Sequence, residues 1–108
     1  MNYGVRLTRP TRGQLDRYLE QAERRPLTYH PGGLTDGPAP EGYYASDNTI
    51  EIGRGPESFE QAVQALRSWK MLDIPWVVHY PDSPVIRLGL TVVVSARTHG
   101  LWTLNPTR

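Results

Sequence analysis

His30, His79 and His99 are the only imidazoles in the chain, and with no cysteine they carry most of its scope for metal or acid–base chemistry. No two of them stand at the i, i+3 or i, i+4 spacing that puts a pair of ligands on one helix face, so no metal centre and no bound cofactor is expected. One imidazole alone can act as a general acid or base, and His79 and His30 are the candidates for that role. Missing cysteine also removes thiolate nucleophiles and disulfides. No nucleophile-elbow pattern frames a serine, and Ser46-Asp47 reads as a turn. Gly53-x-Gly55 precedes a helical pattern, as phosphate-binding loops do. It lacks both the Lys-Ser/Thr of the Walker motif and the third glycine of a dinucleotide fingerprint, so it reads as a tight strand-to-helix turn. A second set is aromatic: Tyr29, Trp69, Trp76, Tyr80 and Trp102, with His79 among them. At the rim between a sheet and a helix, such side chains line an apolar ligand cavity; the same residues also suit ordinary core packing.

These groups need elements to hold them. Leu15, Tyr18, Leu19 and Ala22 fall at i, i+3, i+4 and i+7, which predicts a helix over Thr11–Arg25. Thr11 is its N-cap, Asp16 and Glu20 lie early, Arg24 and Arg25 late, and Pro26 stops it. Residues 27–48 hold four glycines and three prolines with no apolar period, and read as a long loop. Thr49–Gly53 alternates Ile50 and Ile52 with polar neighbours, a short half-buried strand. Pro56–Leu72 is the clearest helix, with Ser58 and Gln61 as a capping box and Phe59, Ala62, Val63, Leu66 and Trp69 on one face. That face is expected to be the local core, so that Phe59→Ala or Trp69→Ala costs about 3–5 kcal/mol. Strands follow at 76–80, 85–97 and 101–104. Alternation sets His79 opposite Val78 and Tyr80. Gly89 marks a bulge or bend, and His99-Gly100 turns the chain. The fold class is therefore α+β, an antiparallel sheet packed on helices.

With 108 residues the chain suits one domain. Twelve Lys and Arg against eleven Asp and Glu leave a net charge of +1, too small for an electrostatic nucleic-acid footprint, and Arg24-Arg25 reads as a solvated helix end. No apolar run approaches the ~20 residues of a membrane span. The N-terminus lacks the apolar stretch of a signal peptide, which points to a cytoplasmic location.

The run Ile52-Gly53-x-Gly55-x-x-x-Phe59-x-x-Ala62, continuing to Ala65-Leu66-x-x-Trp69-x-Met71, resembles the signature of uncharacterised protein family 0548, the DUF1990 domain family. Thr28-Tyr29-His30-Pro31-Gly32-Gly33, Glu41-Gly42-Tyr43 and the tail Gly100–Arg108 fit the same family, so the resemblance covers about residues 15–108. Gly53, Gly55, Phe59 and Trp69 are its structural signature here. The family usually has Cys where this chain has Thr107. Similar proteins continue through further strands and a long final helix, so the resemblance implies that residues 1–108 form a single domain or the N-terminal half of one. The family carries no settled activity. Its layout is similar to the START-like helix-grip fold, which implies a sheet curved around an apolar cavity and favours binding over catalysis.

The expected function is a non-catalytic module for a small apolar ligand, lined by Tyr29, Trp69, Trp76, His79, Tyr80 and Trp102. Its rivals are an enzyme acting on a small hydrophobic substrate through a histidine, and an interaction protein completed by a partner chain. A sheet ending at Leu104 would leave an open edge and leave Val92, Val94 and Trp102 partly uncovered, inviting a homodimer or a complementary chain.

Overall fold

The computed structural model describes residues 4–28 and 33–108. Strand β1 (Gly4–Arg6) leads into helix α1 (Arg12–Glu23), and helix α2 (Gly55–Arg67) follows a long connection. Strands β2 (Val77–Tyr80), β3 (Val92–Thr98) and β4 (Leu101–Thr107) complete the described elements, with 3-10 turns at Leu34–Asp36 and Lys70–Leu72. The four strands form one antiparallel sheet in the order β1-β4-β3-β2. The fold is thus α+β.

Helix α1 begins as its local chemistry dictates. Thr11 Oγ1 accepts from the Gln14 amide at 3.2 Å, and Gln14 Oε1 accepts from the Thr11 amide at 2.9 Å, a reciprocal capping box. Its apolar stripe lies on the sheet. Leu15 and Leu19 bury against Val93 and Leu104, with Tyr18, Val78 and Tyr80 packed around them. This is the core. The register sets Val78, Ser95 and Leu104 side by side and Tyr80 beside Val93, all on the face under α1.

The β3–β4 hairpin turns on His99 (φ 52°) and Gly100 (φ 78°) between the paired Thr98 and Leu101. Two consecutive positive φ angles belong to the tight turn whose twist matches that of the strands. Strand β4 runs on through Pro106 to Thr107, beyond the expected stop at Leu104. A proline is tolerated there because β1 pairs only with Trp102–Leu104, so no neighbour on that side asks for its missing N–H. Along Trp102–Leu104 β4 lies between β1 and β3, which corrects the expected open edge over that stretch, while Asn105–Thr107 pair with β3 alone. Val92 is buried, and Val94 and Trp102 are half-buried.

The second helix departs most from expectation. It is shorter than 56–72, ending at Arg67, and the expected capping box is not made because the helix begins at Gly55, with Arg54 as a cap that offers no side-chain hydrogen bond. None of its residues is buried. Phe59 is 71% exposed and Leu66 56%, and among the described helices and strands α2 touches only the 3-10 turn that follows it. The amphipathic period is real, but no sheet face meets it. Thr49–Gly53 is not a strand either, and Ile50 and Ile52 lie exposed, since among the described residues no strand pairs with them. The expected strand over 85–97 begins only at Val92, because Gly89 (φ 79°) and the Leu90-to-Arg87 hydrogen bond turn the preceding segment.

Candidate functional site

Of the aromatic set, the structure brings together one pair among the described residues. Helix α2 ends when Ser68 Oγ donates to the carbonyls of Gln64 (2.9 Å) and Ala65 (3.2 Å). Trp69 then takes a left-handed conformation (φ 59°), an uncommon one for a bulky residue, and its side chain swings away from the helix axis. The indole is buried, stacks on the His79 ring at 5.7 Å, and donates Nε1–H to the Pro84 carbonyl at 2.8 Å. His79 contacts the Pro81 carbonyl through Nδ1 at 3.3 Å. Trp69 and His79 border a cavity of about 390 Å³.

The other candidates lie elsewhere. Tyr80 is on the opposite sheet face, its hydroxyl donating to Asp16 at 3.0 Å and its ring 5.9 Å from the Arg12 guanidinium. Trp102 is on that same face, paired with Arg97 and Arg6, while Trp76 is 57% exposed beyond the start of β2. Tyr29 and His30 lie outside the described residues. His99 occupies the hairpin turn, far along the sheet from His79 in register. Among the described residues no three of His, Asp and Glu cluster to hold a metal ion, and no helix is long and apolar enough to cross a membrane.

Gly53 and Gly55 hold a turn. A Cβ at Gly53 would come within 2.8 Å of the Ser58 side chain, and Gly55 opens α2 with φ 84°. Both glycines are therefore required by the backbone path into the helix, without any ligand.

A larger cleft lies away from Trp69, Trp76, His79, Tyr80 and Trp102. It is half-open, of about 590 Å³, between the C-terminal end of α1, residues 25–28, and the end of the sheet formed by Thr91 and Asn105–Arg108. Tyr18, Ala22, Pro26, Leu27 and Pro106 give it a mostly apolar wall. Two arginines, Arg25 and Arg108, also line it, and among the described residues no Asp or Glu does. Arg108 is held firmly in place. Its Nε donates to Thr91 Oγ1 at 3.0 Å, and its Nη2 donates to the carbonyls of Ala22 (2.8 Å), Glu23 (3.2 Å) and Arg25 (3.1 Å).

The Ala22 and Glu23 carbonyls belong to the last turn of α1, where a cation meets the negative end of the helix dipole, and the Ala22 carbonyl also accepts from the Arg25 amide at 3.2 Å. The expected partners, Arg24 and Arg25, do not fill that role: Arg24 is the C-cap residue itself, and Arg25 lies past the helix. The guanidinium that serves the end of α1 comes from the far end of the chain. Tyr18 ties the same wall to β4, its hydroxyl donating to the Leu104 carbonyl at 3.4 Å.

The tail that builds one wall of the cleft, Gly100 to Arg108, is part of what the chain shares with known proteins. A family model described as a domain of unknown function, DUF1990, matches residues 28–108. The chain belongs to this family. A UPF0548 protein of Dictyostelium discoideum is 39% identical over 56 residues, covering 52% of this chain and 26% of that protein. A UPF0548 protein of Deinococcus radiodurans is 29% identical over 97 residues, covering 86% of this chain and 48% of that protein. The chain thus spans about half the length of one of these curated DUF1990 relatives and about a quarter of the other. No solved structure matches it significantly.

Ala22, Leu27, Thr91, Pro106 and Arg108 were not among the residues expected to form a site. The one signal that could have found Arg108 is its place in the family-like tail. The rest are ordinary residues made into a site by the end of a helix meeting the end of a strand.

Proposed function

We propose that this DUF1990 chain is a non-catalytic binding module whose ligand is a small, largely apolar molecule seated in the cleft beside Arg108. The supporting observation is the cleft itself, whose volume of about 590 Å³ falls within the roughly 300–1,000 Å³ of small-ligand pockets and whose wall is mainly aliphatic and aromatic. Among the described residues none that lines it has an imidazole or a carboxylate side chain, the usual general acids and bases. The rival enzymatic reading would need His79, which stacks on Trp69 on the other face of the sheet, away from this cleft. Calorimetric titration with decanol below its solubility limit tests the proposal. Saturable one-to-one binding is expected, and Ala22→Phe, which fills the cleft from α1, should remove it while leaving the circular dichroism unchanged. Absence of saturable heat, or binding indifferent to Ala22→Phe, would rule the cleft out.

A second reading is favoured by α2. Phe59 and Leu66 of α2 are more than half exposed, and exposed Val85 borders the same hollow as Leu66, apolar surface of the kind that marks an interface. Together with the partial coverage of the relatives, this supports docking of a polypeptide equivalent to the rest of the DUF1990 length on the α2 side. Size-exclusion chromatography with the part of the Deinococcus relative that this chain does not match tests it. Co-elution that Phe59→Ser abolishes supports the reading; a homodimer dissolved by Phe59→Ser would instead make a second copy the occupant, and an unperturbed monomer in both mixtures would refute it.

A further inference from the structure

We propose that the cleft selects amphipathic monoanions, molecules with a single carboxylate head on a short aliphatic tail. The inference rests on the cleft being a ligand site and adds the chemistry of the head group. Two of its described lining residues carry cationic side chains and none carries an acidic one, an imbalance in a chain whose total charge is nearly neutral. The nearest acidic neighbours in sequence, Glu20 and Glu23, are exposed and do not line the cleft.

The two arginines differ in what they can still donate. Arg108 uses Nε and Nη2 on Thr91 and the three helix carbonyls, which fixes the guanidinium plane and leaves the Nη1 hydrogens without a partner among the described residues. Part of its charge is spent against the end of α1. Arg25 has no ion-pair partner among the described residues, its carbonyl being engaged by Arg108 while its own guanidinium has no carboxylate. A carboxylate between them gains charge-assisted hydrogen bonds from one immobilised donor and one adjustable one. The tail then lies against Ala22, Leu27 and Pro106. A cationic head group meets two like charges, and a neutral one gains no ion pair.

Three probes of equal tail length separate these cases: decanoate, decanol and decyltrimethylammonium, each titrated as monomers by calorimetry at low salt. Decanoate should bind about fivefold or more tightly than decanol, the scale of a partly exposed charge pair, and the cation should not bind. Arg25→Gln, at an exposed position past the end of α1, should lower decanoate affinity to that of decanol and leave decanol unchanged. Raising the salt to several hundred millimolar should narrow the same gap.

Equal affinity of decanoate and decanol in the wild-type chain would overturn head-group selection while leaving the apolar cleft intact. No binding of either would overturn both. An Arg25→Gln variant that still prefers decanoate would refute recognition by the arginine pair. Adsorption of the chain to phosphatidylglycerol vesicles without any binding of monomeric decanoate would replace a soluble amphiphile with a membrane surface and refute the proposal as stated.

Discussion

Truncating one side chain on each side of the molecule distinguishes where the core is. Leu104 is wholly inaccessible at the centre of the sheet, against Leu15, Leu19 and Val93. Leu104→Ala removes three carbon atoms, worth about 0.8 kcal/mol each in transfer free energy, and leaves a cavity that α1 cannot close without losing its contacts. The expected cost is about 3 kcal/mol, within the roughly 2–5 kcal/mol range of such substitutions. Phe59 is 71% exposed, so less than a third of the roughly 1.5–3 kcal/mol of a fully buried side chain is at stake. Phe59→Ala should therefore cost under about 1 kcal/mol. Urea unfolding with a common slope measures both, and for a domain of this size each kcal/mol lowers Tm by roughly 4–8 °C. A Phe59 loss equal to or larger than the Leu104 loss would show that α2 is packed on the core and that the arrangement described above is wrong.

Three further outcomes follow from single contacts. Arg108→Ala should cost about 1–2 kcal/mol by uncapping α1, and Arg108→Lys should recover only part of it because a lysine cannot reach Thr91 and the three carbonyls together; equal stability of all three forms in urea would remove the capping role. Ser95 is buried under α1 with its hydroxyl unpaired among the described residues, so Ser95→Ala should leave stability unchanged or raise it by up to about 1 kcal/mol, and a loss of more than that would reveal a bond the hydroxyl makes. His99→Asn should raise Tm by a few degrees, since asparagine tolerates the positive φ of this turn better than histidine, whereas a lower Tm would mean that the imidazole makes a contact of its own.

What could be read from the sequence was what local chemistry decides. Helix α1, its cap at Thr11 and the His99-Gly100 turn rest on signals a few residues long, and each is found where those signals place it. The alternation of β2 likewise sets His79 away from Val78 and Tyr80. Periodicity, however, says that a segment has an apolar face without saying what meets that face. Ile50, Ile52 and the α2 stripe carry good patterns and remain exposed. Strand β1 is three residues long, too short to leave a pattern, yet it covers β4 along Trp102–Leu104. By size alone the aromatic residues suit either a core or a cavity lining, and the sheet divides His79 from Tyr80 and Trp102 between its two faces. The cleft was out of reach of any local reading, because its key contact joins Arg108 to carbonyls more than eighty residues earlier in the chain.

Amide chemical-shift mapping during a titration with decanoate tests the ligand cleft most directly. The account predicts saturable shifts concentrated at Ala22, Leu27, Thr91, Asn105 and Thr107, with the amides of α2 and those near the Trp69–His79 stack unmoved. Shifts centred on Trp69, His79 or the α2 face, or no saturable shift anywhere in the chain, would contradict it.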